Sequence, residues 1–158
     1  MNAPLMIGVA RRLVDLGHSV LRFNFRGVGA SSGTHDHGMA EQLDISAAVA
    51  FARETSLPVS LGGWSFGAAA TLNWVADQGS HLAYVGIAPP PERLPNNLPV
   101  GPKTIVLGTR DQVIKSAALE EYAERMGIDL VKTPGDHFFH GRSGKIGELI
   151  GEALAGPG

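Results

Sequence analysis

Pro58-Val59-Ser60-Leu61-Gly62-Gly63-Trp64-Ser65-Phe66-Gly67-Ala68-Ala69-Ala70-Thr71-Leu72 holds the key to this chain's architecture. Pro58 to Gly62 is a short apolar run, the pattern of a buried strand. Ala68 to Leu72 is rich in helix-forming alanine. Between them lies Gly63-Trp64-Ser65-Phe66-Gly67, a G-x-S-x-G pentapeptide. Strand, sharp turn and helix around a serine is the setting in which this motif exposes a nucleophile at a sheet edge. The flanking glycines let the turn close without Cβ clashes. The bare pattern is weak in a chain with 21 glycines, and a serine at that place also reads as the simple N-cap of a helix. Its context, and its partners further along the chain, carry the argument.

Upstream, Leu5, Val9, Leu13 and Leu16 recur at helical spacing, and Gly17 follows as a stop. Val20 to Phe25 reads as a strand, and Arg26 to Gly33 as a glycine loop in which Ser31 and Ser32 shape the turn. Leu43, Ala47, Ala50 and Phe51 mark a second helix that ends before Pro58. Val59 to Gly62 is the next strand, and Gly67 to Ala76 a helix. Downstream come strands at Tyr84 to Ala88, Thr104 to Leu107 and Asp129 to Thr133. Pro89 to Pro102 reads as loop throughout. Ala118, Leu119, Tyr122 and Met126 form one helical face, and Ile146, Leu149, Ile150 and Leu154 another. Strands that are continuous apolar runs and alternate with helices predict a parallel sheet covered on both faces.

The 158 residues fit one domain, 1–158, with a sizeable core. Hydrophobic residues make up 44% and charged ones 18%, a globular composition. The net charge of −2 carries no basic block, which argues against nucleic acid or an anionic membrane as a partner. No apolar stretch approaches the roughly 20 residues of a membrane span, and no basic-then-apolar leader stands at the N-terminus. With no cysteine, disulfides, thiolate metal sites and a cysteine nucleophile are excluded. A reducing cytoplasm is the expected location.

Ligands of parallel sheets bind at the C-terminal ends of the strands. One strand runs into Ser65, another into Gly108-Thr109-Arg110-Asp111, and the last into Gly135-Asp136-His137. A nucleophile, an acid and a base are thus expected on one rim. A serine hydroxyl needs a base to take its proton, and imidazole does this near neutral pH. A carboxylate holds the imidazole in the right tautomer, and the Phe66 backbone N–H, at a helix start, is the candidate donor to an oxyanion. Rivals remain for each place. His140 is a second candidate for the base, Asp111 also reads as a turn residue, and Asp136 reads as a turn beside the histidine. Trp64 and Phe66 are candidates for lining an acyl pocket, with plain packing as the rival for Trp64. His35-Asp36-His37 suggests a metal cluster, but a polar loop fits better because further ligands are not in sight. His18 and His81 read as surface residues, and Met6 and Met126 as core filler. This chemistry calls for no metal and no cofactor.

With these residues in hand, the chain resembles the small, lidless, dienelactone-hydrolase-like or esterase-like members of the α/β-hydrolase superfamily. The matching segments are Leu21-Arg22-Phe23-Asn24-Phe25-Arg26-Gly27-Val28-Gly29-Ala30-Ser31, Gly63-Trp64-Ser65-Phe66-Gly67, Ala88-Pro89-Pro90 and Asp136-His137-Phe138-Phe139-His140-Gly141. They span nearly the whole chain, and the order Ser, Asp, His is that of the superfamily. The resemblance implies a triad of Ser65, Asp111 and His137 and a carboxylesterase for small or unhindered esters. It also implies N-terminal strands ahead of the segment that here begins Met1-Asn2-Ala3-Pro4. In that fold a central strand lies between Val20–Phe25 and Val59–Gly62 and leads to a loop that donates a second oxyanion N–H. Met1 is then either an internal methionine of a longer frame or the start of a shortened chain.

Three outcomes follow for the sheet. The two flanking strands pair directly, leave a gap, or accept a strand from another chain. Direct pairing is the expectation: a truncated, minimal α/β-hydrolase fold, a three-layer αβα sandwich with a mostly parallel sheet of about five strands. A homo-oligomer is the second way to cover exposed surface. The alternative to an active esterase is a weak or inactive scaffold without the oxyanion loop.

Overall fold

The computed structural model describes residues 3–155. Helices α1 (Pro4–Asp15) and α2 (Glu41–Arg53) come first, separated by a long irregular stretch. Then follow β1 (Ser60–Trp64), α3 (Phe66–Asp77), β2 (Ala83–Ile87), β3 (Lys103–Gly108), α4 (Ser116–Met126), β4 (Asp129–Thr133) and α5 (Ser143–Ala155). The proline-rich stretch, predicted as loop throughout, contains one 3-10 turn at Pro91–Arg93. Pro91 starts it, where a missing N–H costs nothing.

The strands are all parallel and lie in the order β1-β2-β3-β4. Every residue of β3 is buried, and so is all of β2 beyond Ala83. These are the strands that the continuous apolar runs predict, flanked by helices as an α/β sandwich requires. Trp64, Ile87, Val106 and Val131 stand side by side in the register. The C-terminal ends of the strands therefore line up, and the loops after β1, β3 and β4 leave from one rim.

Helix α3 is the most enclosed element, with Ala68 to Leu72, Trp74 and Val75 buried against β1 and β2. Its small alanines let it lie close to the sheet. The Trp74 indole N–H donates to Ser46 Oγ at 2.8 Å, tying α3 to α2. Helices α1 and α5 pack on each other. Gly147 makes their close approach possible, since a Cβ there would lie 2.6 Å from Arg12 Cβ. Met6 and Met126 pack against the core, in line with their reading as filler.

One sequence expectation fails. Val20 to Phe25 is not a strand, and the described sheet has four strands rather than five. The outer edge of β1 pairs with no strand among the described residues. Between it and the 20–25 segment runs a groove of about 1080 Å³, lined by Val20, Phe23, Phe25, Leu57, Leu61 and Trp64 among others. Val20, Leu21 and Phe23 stay 36%, 47% and 38% exposed. In the fold that the chain resembles, a further strand lies between these two positions, and no described residue takes that place, so the 20–25 segment has no neighbour at the 4.7–4.9 Å spacing that strand pairing needs. Of the three outcomes, this structure has the gap.

Candidate active site

Ser65 sits between β1 and α3 at φ 53° and ψ −121°, a region that L-residues rarely occupy. Such strain costs on the order of 1–3 kcal/mol and persists only where the surroundings enforce it. Here the Ser65 N–H donates to Ile87 O at 2.8 Å, and Ser65 O accepts from the Ala69 N–H at 3.1 Å. Gly63 is the glycine that the turn demands: a Cβ on it would lie 2.5 Å from the Gly67 carbonyl carbon. Phe66 begins α3, so its N–H is one of the helix's donors without an intrahelical partner.

The loops after β3 and β4 meet this turn. His137 Nε2 lies 3.1 Å from Ser65 Oγ. His137 Nδ1 lies 2.9 Å from Asp111 Oδ2, with the two side chains 6% and 0% exposed. Asp111 Oδ1 accepts from the Val113 and Ile114 N–H groups at 2.8 and 2.9 Å. The buried carboxylate is thus satisfied on both oxygens. A carboxylate only accepts, so Nδ1 carries the ring proton and Nε2 turns a lone pair towards the serine. The two loops are stitched together by Arg110 N–H to Gly135 O at 2.9 Å.

The structure separates the rival residues. His140 is 78% exposed and bonds Asp136, 3.1 Å away, instead of approaching Ser65. Asp136 also accepts from the Phe138 N–H at 3.0 Å, the work of a turn residue. The His140 contact, joined by that N–H and opposed by desolvation, holds the Asp136 carboxyl below its ordinary range. Ser31 Oγ donates to Asn24 O at 3.2 Å, and Ser32 O accepts from the Gly27 N–H, so both serines shape their loop. His18 and His81 are exposed.

Trp64 has a task that its residue type alone does not reveal. Its indole N–H donates to His137 O at 3.0 Å, and its ring centroid lies 5.5 Å from the imidazole. It clamps the histidine loop to the end of β1. The only sequence clue is an indole donor one residue before Ser65.

Glu41 also went unread. It is fully buried, and it accepts from the N–H groups of Asp36 and Gly38 at 2.9 and 2.8 Å. His35 Nδ1 lies 2.7 Å from the same carboxylate. Burial works against ionising Glu41. The backbone donors of Asp36, Glu41 itself and Gly38, together with His35, outweigh it and keep the carboxyl below its ordinary range. Next to it, Arg26 grips Asp44 with contacts of 2.8 to 3.2 Å. The Arg26 side chain holds the Asp44 carboxyl below its ordinary range.

No protein-family model matches the chain. An uncharacterized protein of Rickettsia prowazekii is 27% identical over 98% of this chain and 72% of its own length. Among solved structures, an α/β serine hydrolase homologue from Coxiella burnetii is 29% identical, with a TM-score of 0.86, over 100% of this chain and 78% of its own. An α/β serine hydrolase without a lid from Xanthomonas campestris is 30% identical, with a TM-score of 0.88, over 98% of this chain and 74% of its own. With a parallel sheet that turns into a helix through a strained serine, and this likeness over nearly its whole described length, the chain belongs to the α/β-hydrolase superfamily.

Proposed function

We propose that this chain is a serine hydrolase, a carboxylesterase that cleaves small or unhindered esters through an acyl-enzyme on Ser65. The observation that carries this reading is the unbroken run of contacts from Asp111 through His137 to Ser65, at 2.9 and 3.1 Å. In it, Ser65 Oγ attacks the ester carbonyl while His137 Nε2 takes the hydroxyl proton. Asp111 keeps the imidazole oriented and stabilises the cation that forms. The Phe66 N–H, at the positive end of α3, donates to the oxyanion. When the tetrahedral intermediate collapses, His137 returns the proton to the leaving alkoxide. Water then attacks the acyl carbonyl while giving a proton to His137, and His137 passes that proton to Ser65 Oγ as the acyl–Oγ bond breaks and the acid leaves. The site has no lid in this reading and needs no metal or cofactor. Among the described residues no helix is long and apolar enough to cross a membrane, and a cytoplasmic setting is part of the proposal.

The groove supports a second reading, a weak or inactive scaffold. It reaches Trp64, Phe66 and Gly67, so one flank of the serine turn faces open space. A missing second oxyanion donor typically costs about 10²- to 10³-fold in rate. Turnover of 4-nitrophenyl acetate and butyrate by the protein and its Ser65→Ala variant separates the two. The esterase reading expects a loss of about 10³-fold or more in the variant. Equal rates would remove Ser65 as nucleophile, and a uniformly feeble wild type would favour the scaffold. Matched ester and amide substrates then tell an esterase from a peptidase on the same fold.

A further inference from the structure

The mechanism leaves unused a group of polar side chains around the Phe66 ring. Arg93 is one. Its guanidinium carbon lies 5.9 Å from the ring centroid. The 3-10 turn after β2 sets it there: its N–H donates to Pro90 O, and its carbonyl accepts from Asn73 Nδ2 of α3 at 2.7 Å. Arg93 is exposed and forms no ion pair among the described residues. His35 is the other. Its ring meets Phe66 edge-on at 5.1 Å, and the side chain is 43% exposed. Its Nδ1 is committed to Glu41, which fixes the ring and leaves Nε2 for another partner. His37 stands beside it, with ring centroids 5.0 Å apart. Glu41 accepts from the backbone N–H groups of Asp36 and Gly38 as well as facing His35, and Glu92, beside Arg93, is exposed.

Phe66 directly follows Ser65, and in this proposal an acyl group held on the serine runs along its ring. We propose that Arg93 and His35, flanking Phe66, form a subsite for an anionic substituent, and that the preferred esters carry a carboxylate at the far end of the acyl chain. This rests on the reading of Ser65 as nucleophile. An exposed arginine with a fixed backbone suits bidentate recognition of a carboxylate, and the apolar Phe66 ring 5.9 Å from its guanidinium suits the methylenes.

The test compares kcat/KM for 4-nitrophenyl hydrogen adipate with that for 4-nitrophenyl hexanoate, matched in chain length. The expected ratio favours the adipate ester and falls as salt rises. It drops by roughly tenfold in Arg93→Gln, by less in His35→Gln, and not at all in Arg11→Gln, an exposed charge on α1. An Arg93→Gln ratio equal to the wild type's overturns the subsite, as does an equal drop in Arg11→Gln. Calorimetric titration with free adipate reads the same site without turnover. Adipate is expected to bind the wild type more tightly than Arg93→Gln, and equal affinities overturn the proposal. If neither ester is turned over while adipate binds as expected, the nucleophile reading falls and the subsite stands.

Discussion

Ser65, Asp111 and His137 were legible one by one, because each residue type stands where a strand predicted from its apolar run must end. The sequence left His137 and His140 open as the base. Two histidines three residues apart differ only in where a loop points them, and here the Trp64 indole pins the carbonyl of one while the other turns outward to Asp136. Trp64→Phe keeps the ring and removes that donor. The expected result is a roughly fivefold fall in kcat, corresponding to one lost hydrogen bond of about 1 kcal/mol, with KM little changed; steady-state kinetics read it. Gly63→Ala is expected to be far worse for the fold. The new Cβ meets backbone at 2.5 Å and cannot be relieved by a rotamer change, so chemical denaturation should report a loss of about 1–3 kcal/mol or more. Glu41 was missed because nothing in its neighbourhood announces that an acidic first residue of a helix reaches backwards into its own loop. Its carboxyl is held below the unfolded value of 4.5, so its contribution to stability is full above that pH and fades as pH falls through the lower folded value. Denaturation of the protein and its Glu41→Gln variant should therefore differ most at neutral pH and converge in acid.

At the level of elements, periodicity found the helices and the strands of the sheet to within a few residues. Its failure at Val20 to Phe25 is instructive. An apolar run records that a segment is fit for a sheet, whereas a strand exists only when a neighbour comes within hydrogen-bonding distance. The neighbour depends on what stands between this segment and β1, which no local pattern encodes. The consequence is measurable by hydrogen exchange. Amides of Val20 to Phe25 should exchange fast, and those of Thr104 to Leu107, buried between two strands, should be among the slowest. Comparable protection of the two segments would mean that the first is paired after all.

For the molecule as a whole, the sheet rim gathers the reactive groups, while the flank beyond β1 carries an apolar groove with several exposed side chains. Contiguous exposed apolar surface of this kind favours association. We propose self-association as the way this flank is covered, and light scattering coupled to size exclusion should show species larger than a monomer; a clean monomer across the accessible concentration range removes the idea. At the rim, contacts of 2.9 and 3.1 Å link Asp111, His137 and Ser65, and the proposal is that they make this serine a nucleophile. A fluorophosphonate probe reads that property without any knowledge of the substrate. Mass spectrometry of the labelled protein should place the adduct on Ser65, with labelling abolished in Ser65→Ala and slowed by about 10³-fold or more in His137→Gln. Labelling of Ser65→Ala at the wild-type rate, or of His137→Gln as fast as the wild type, would contradict it.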